Sequence, residues 1–167
     1  ETFEHTKYKP ISVCLAVEPK TRKILSFAVS QMPAKGLLAK KSREKYGFRK
    51  DLRGIGWNKM FSELREIVSE DASFLSDSHK RYPHFVKKHF PRGSHKTVIG
   101  SRGSITGQGE LKKIQYDPLF SLNHTCAMLR ANINRLFRKT WCTTKNISAL
   151  EDHIRIYVDY HNQILTA

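Results

Sequence analysis

The sequence predicts an α/β domain: a mixed sheet flanked by helices. Three observations carry that expectation. Two apolar, β-branched stretches near the start are joined by a short charged link, the pattern of a hairpin. After them, helix-like and strand-like periodicities alternate, which favours a sheet with helices on its faces. Near the end, Asp117 to Lys139 carries one long apolar face, as a helix packed on a sheet would.

In chain order, Pro10 to Glu18 (PISVCLAVE) is a strand by β-branched content and apolar run. Pro19 to Lys23 is a charged turn. Lys23 to Gln31 alternates Ile24, Ser26 and Ala28 against Leu25, Phe27 and Val29, and reads as the paired, antiparallel strand. Residues 1–9 alternate weakly and read as the end of an earlier strand. Gly36 to Tyr46 is a short basic helix or loop. Asp51 to Gly56 is a turn, and Trp57, Met60, Phe61, Leu64, Ile67 and Val68 mark an amphipathic helix.

Asp71 to Asp77 is a short strand ending in a carboxylate, expected to lie beside the first strand. His79 to Phe90 is helical after Pro83, His95 to Gly100 is another strand, and Ser101 to Gly109 is a flexible loop. In the long helix, Asp117 suits the N-cap and Pro118 the first turn. Leu119, Leu122, Cys126, Leu129, Ile133 and Leu136 recur at spacings of three and four. Arg135, Arg138 and Lys139 sit in the last turn, where cations suit the helix dipole. Beside the apolar face runs a polar stripe, Asn123, Ala127, Arg130 and Asn134; it reads as a solvated flank or as the edge of a groove. Lys145 to Ile164 is the last helix, opened by a Ser148/Glu151 capping box.

The 167 residues suffice for one domain with a core, and residues 1–167 are read as a single domain. Glu1 stands in place of Met, in mid-pattern, so the chain is expected to begin inside a longer one. Thirty Lys and Arg against fifteen Asp and Glu leave +15. So large a charge on a small domain points to a polyanion, most simply nucleic acid. Between Lys20 and Lys50 ten cations face one acid, and from Ser78 to Gly109 seven cations and four histidines face none. A phosphate path over Lys80, Arg81, Lys87, Lys88, Arg92 and Lys96 follows. No stretch is long and apolar enough to span a membrane, and the charge is not gathered on one amphipathic helix, so no membrane partner is expected. The three cysteines, Cys14, Cys126 and Cys142, have no paired spacing for zinc or a disulfide framework.

A carboxylate at a strand end in so basic a chain suits phosphodiester chemistry, where carboxylates hold divalent metals. Asp77 reads equally as such a ligand or as the cap of the helix that follows. Glu18 reads as a turn residue, Glu110 as a loop residue and Asp117 as a cap. Asn123 and Arg130 lie two turns apart on one helix side; an amide oxygen can join a metal shell, and a guanidinium can hold phosphate bidentately. His79, His84, His89 and His95 have spacings of five, five and six, which fit no common ligand pattern.

Four blocks carry a resemblance: FEHTKYKPISVCLAVEPKTRKIL from Phe3, FLSDSHKRY from Phe74, GQGELKKIQYDPLFSLNHTCAMLRANINRLFRKTWCTTK from Gly107, and YHN from Tyr160. The chain resembles bacterial DDE-type transposases of small insertion sequences, in the group with Asn at the third catalytic position. The resemblance implies a ribonuclease-H-like core using two divalent ions, Mg²⁺, to cleave DNA ends and transfer strands. It implies Asp77 as the second catalytic acid and metal ligand, Asn123 as the third position and a metal ligand, and Arg130 as the basic residue of the site. The family's first Asp and its N-terminal zinc-ribbon or helix-turn-helix region have no counterpart in this sequence. The expected partners are transposon-end and target DNA, with a homodimer as one assembly, in a bacterial cytoplasm at the nucleoid. Two alternatives stand beside it: a non-catalytic DNA-binding remnant of a transposase, and a ribonuclease-H-like nuclease.

Overall fold

The computed structural model describes residues 1–4, 8–99, 117–137, 142 and 146–165. Among these, β1 (Thr2–Glu4), β2 (Ile11–Val17) and β3 (Ile24–Gln31) form an antiparallel sheet in the order β1-β2-β3. The register runs from Ile11 opposite Gln31 to Val17 opposite Ile24, with an irregularity between Ala16 and Val17. β4 (Ser73–Asp77) and β5 (Ser94–Val98) form a separate parallel pair, Ser73 opposite Ser94 and Asp77 opposite Val98. The helices are α1 (Leu38–Tyr46), α2 (Arg53–Leu64), α3 (Tyr82–His89), α4 (Phe120–Asn132) and α5 (Ile147–Tyr160). The architecture is therefore mixed α/β, with small sheets flanked by helices.

One expectation meets a difference here. The Asp77 strand does not ladder with the first strand, and the single mixed sheet is two sheets among the described residues. β1 reaches only to Val13 of β2, so among the described residues the Cys14–Val17 edge of β2 has no ladder partner on that side. A cavity lies between that edge and β4.

The hairpin follows its expected pairing because both of its faces are covered. Ile11, Val13 and Leu15 point to one side and pack with Leu129, Leu136, Leu150 and Ile154 of the chain's second half. Cys14 and Ala28 point to the other and pack with Trp57, Met60, Phe61 and Leu64. The two clusters give a three-layer arrangement: α2 and α3, the sheet, then α4 and α5. Fully burying each such large side chain contributes about 1.5–3 kcal/mol. The hairpin turn closes through Glu18 N–H to the Lys23 carbonyl at 2.9 Å and Arg22 N–H to the Glu18 carbonyl at 2.8 Å. Arg22 adopts φ 63° there. Glu18 is thus the turn residue expected.

α2 begins earlier than its apolar pattern suggests, taking in Gly54 and Gly56. A Cβ on Gly56 would stand 2.0 Å from Ser30 Oγ. Glycine therefore lets the helix lie closer to β3 than any side chain would, and the close fit outweighs its poor helix propensity. Ile67 falls beyond the helix end and is exposed.

α4 is shorter than the periodicity predicts. Ile133 turns extended (φ −111°, ψ 103°), and Asn134–Leu136 form one 3-10 turn. Asn132 Nδ2 donates to the Met128 carbonyl at 2.7 Å, satisfying one of the carbonyls a helix end leaves open. Ile133 and Leu136 still reach the core, so the apolar spacing is kept although the helix is not. Arg135 is no dipole cation. It is buried, with Nη2 3.0 Å from Glu4 Oε2 and 3.0 Å from the Asn146 carbonyl.

The last helix opens on Asn146, whose side chain accepts from Ala149 N–H at 3.4 Å. Ser148 donates to Asn146 Oδ1 instead of capping, and Glu151 pairs with Lys59 at 2.7 Å. After Tyr160 one π-helical turn, His161–Leu165, brings Asn162 against β3. Asn162 Oδ1 accepts from Ile24 N–H and Nδ2 donates to its carbonyl, both at 2.9 Å. The Ser101–Gly109 loop, Glu110, Gly100, Lys145 and the Arg138–Lys139 helix end lie outside the described residues.

Candidate functional site

β4 carries Asp77 at its carboxyl end because Phe74 is drawn into the α2–α3 cluster, leaving the alternate positions Ser73, Leu75 and Asp77 exposed. Asp77 lines the cavity of about 560 Å³ between β2 and β4. Its Oδ1 accepts His79 N–H at 3.1 Å, a local bond ahead of the helix; α3 starts at Tyr82 with Arg81 as its N-cap and no side-chain cap, so Asp77 does not take the capping role weighed from the sequence. The carboxylate is solvent-facing, with the exposed Lys80 and Arg81 three and four residues after it.

Glu1 stands on the same cavity. Its Oε1 accepts from Trp57 Nε1 and from Ser12 Oγ, each at 3.0 Å, and Arg53 Nη1 is 3.7 Å from Oε2. Arg53 is held in turn by Asp51, with contacts of 2.9 and 2.6 Å. That fork keeps the Asp51 carboxyl below the ordinary carboxylate range. Tyr82 packs edge-on to Trp57 at 5.4 Å. Burial drives its phenol up, and the Glu1 and Asp77 charges push the same way. Both carboxylates therefore face one protonated, half-buried Tyr82. Little in the sequence marks this group. The four-residue step from Arg53 to Trp57, with Asp51 just before it, was the one available signal.

The polar stripe of α4 is placed as follows. Asn123 and Ala127 are exposed, Arg130 is half-buried, and Asn134 has left the helix. Asn123 Nδ2 donates to Asp117 Oδ2 at 3.0 Å, while Asp117 Oδ1 accepts Leu119 N–H at 2.9 Å. Asp117 thus holds the turn that leads into α4, whose N-cap is Leu119 with no side-chain cap, in place of the capping role the sequence suggested, and it stands beside Asn123. Arg130 Nη1 reaches Thr2 Oγ1 at 3.3 Å, tying α4 to β1. The cavity touches α4 at Ser121 and Leu122 and the turn before it at Pro118 and Leu119, and Asn123 and Arg130 are not in its lining. Asp77 is on the cavity, then, and Asn123 and Arg130 are outside its lining, further along the helix that brings Ser121 and Leu122 to it.

The basic run is distributed about α3. Lys80 and Arg81 precede the helix, Lys87 and Lys88 close it, Arg92 follows in the turn and Lys96 is on β5; all six are exposed. An eight-residue helix is about 12 Å long, so the cations bracket α3 as two groups. Lys88 Nζ contacts Asn58 Oδ1 at 2.6 Å, and Arg92 pairs with Glu70 on the surface. His89 ring nitrogen is 3.1 Å from Asn58 Oδ1, and burial together with Lys88 holds this histidine below its usual range.

Among the described residues no group of three or more His, Cys, Asp or Glu side chains is arranged to hold a metal, and no helix is long and apolar enough to cross a membrane. A Mg²⁺ shell needs only one or two carboxylates, the rest being water and phosphate oxygens, and Asp77 meets the carboxylate part of that requirement. Comparison with protein families, with curated proteins and with solved structures finds no match.

Proposed function

We propose that this chain is a DNA-processing catalytic domain of the insertion-sequence transposase kind, acting on DNA ends by metal-dependent cleavage and strand transfer. The observation that carries the reading is Asp77: an exposed carboxylate at a strand end, on a cavity rim, with Lys80 and Arg81 three and four residues on, in a chain of charge +15. Cations there would hold phosphates beside a carboxylate that can hold a divalent ion. Asp77 and Asn123 would be the chain's metal ligands, and Arg130 would position the substrate backbone. Bound Mg²⁺ would supply Lewis-acid stabilisation of charge on the reacting phosphate. Lys80, Arg81, Lys87, Lys88, Arg92 and Lys96 would bind and orient the duplex through its phosphates.

One observation favours a second reading, a DNA-binding domain without catalysis: the described residues bring no three-acid group together. A single experiment separates the two. End-labelled duplex is incubated with the full polypeptide and Mg²⁺, with and without Asp77→Ala. Catalysis predicts cleavage that is lost in Asp77→Ala while DNA affinity and the circular dichroism spectrum are kept. Binding without cleavage by the unaltered protein transfers the assignment to the second reading. Cleavage at an unchanged rate in Asp77→Ala removes Asp77 from the site.

A further inference from the structure

In chain order α1 stands between β3 and α2, and little of it is buried. Ala39, Ser42 and Tyr46, spaced three and four, turn inward, and Ser42 is its buried residue. Ser42 Oγ donates to the Tyr8 carbonyl at 2.6 Å. Lys9 Nζ lies 4.0 Å from the centre of the Tyr46 ring, and the Tyr8 ring is 6.2 Å from the same ring. On the other side Lys40, Lys41, Arg43 and Lys45 are all exposed, against one acid, Glu44. Lys41 and Lys45 are four apart, a like-charge pair that opposes the helix, and nine residues are too few for a stable helix alone in water. A polyanion along this face would remove the repulsion.

Gly47 ends α1 at φ 71°, a backbone conformation that favours glycine, and the turn it makes presents Phe48. That ring is 75% exposed and is followed by Arg49 and the exposed Lys50. An aromatic face offered to solvent among cations is a platform on which unpaired bases stack. We propose that α1 and the Gly47–Lys50 turn form a second nucleic-acid surface, one for unpaired strand: Lys40, Lys41 and Arg43 take the phosphates and Phe48 stacks a base. Its cations belong to another element than the six about α3. It rests on the nucleic-acid partner proposed above and needs neither cleavage nor Asp77. A lipid surface fits less well. The exposed apolar residues stand at the two ends of α1, Leu37 and Leu38 at its start and Phe48 after its close, with about 14 Å of helix between them, whereas a membrane-surface helix carries them along one face.

The full chain is titrated into a fluorescein-labelled oligothymidylate and, separately, into a labelled duplex of equal length, and anisotropy is read over a salt series. Phe48→Ala should weaken single-strand binding by about fivefold or more, the lower end of what one stacked base contributes, and duplex binding by less than about twofold. Phe48→Tyr keeps the ring and should bind the single strand within about twofold of wild type. Lys40→Glu with Lys41→Glu should lower the single-strand salt slope by about 1.4, at about 0.7 per phosphate. These variants leave α3 and Asp77 intact, so failure here and failure of duplex binding or cleavage are separate results. Single-strand affinity unchanged in Phe48→Ala, or single strand and duplex weakened alike, overturns the proposal. Phe48-dependent capture by phosphatidylserine vesicles without single-strand binding overturns it in favour of a membrane.

Discussion

Arg135 and Glu4 show how one residue pair can decide a local structure. Both are buried, and Nη2 of Arg135 bridges Glu4 and the Asn146 carbonyl. Among the described residues Glu4 Oε1 and Arg135 Nε and Nη1 have no hydrogen-bond partner, so there the desolvation of the pair is only partly offset. Breaking it is another matter, because the remaining charge is left buried. Arg135→Ala should lower unfolding free energy by about 3–5 kcal/mol, measured by urea denaturation; a change under about 1 kcal/mol would show that the carboxylate reaches water. Asp51 gives the pH-dependent case. Arg53 depresses its carboxyl, so this stabilisation is complete above the unfolded Asp value of about 3.9 and is lost as pH falls through the lower folded value. Wild type should therefore exceed Asp51→Asn in urea midpoint at pH 6, and the gap should shrink as pH falls below the unfolded Asp value. A gap that persists in acid would assign the effect to packing.

At the level of elements, the approach of α2 to β3 is the most constrained contact. Gly56 leaves no room for a Cβ, whose nearest neighbours would be Ser30 Oγ at 2.0 Å, Ser30 Cβ at 3.3 Å and Ala28 Cβ at 3.5 Å. Gly56→Ala should cost about 1–3 kcal/mol, the range for overpacking, despite alanine's better helix propensity. Removing the hydroxyl by Ser30→Ala should recover part of that loss, because the two positions share one contact. Additive single and double changes, read from denaturation midpoints, would place the strain elsewhere.

For the whole molecule the dominant quantity is charge. Six exposed cations bracket α3, and each phosphate neutralised contributes about 0.9 to the slope of log affinity against log salt. Duplex binding should weaken steeply as salt rises. Lys87→Glu with Lys88→Glu should reduce that slope by about 2 and weaken all sequences alike. Fluorescence anisotropy over a salt series measures both, and an unchanged slope would mark these lysines as a solvated face only.

The sequence by itself determined the element order, the β2–β3 hairpin and the apolar faces of α2, α4 and α5. These rest on local periodicity, which a sequence displays directly. It also placed Asp77 at a strand end and exposed the six cations, since charged side chains avoid the core. The tertiary structure alone decided where helices stop and what the buried polar groups do. α4 ends at Asn132 although its apolar spacing runs on, because a 3-10 turn delivers Ile133 and Leu136 to the same core. Arg135 looked like a surface cation and became half of a buried pair. Glu1, Trp57, Arg53 and Asp51 converge across more than fifty residues, and the separation of β4 from β1 depends on which edges meet. Such contacts join positions distant in the chain, so no spacing along it records them.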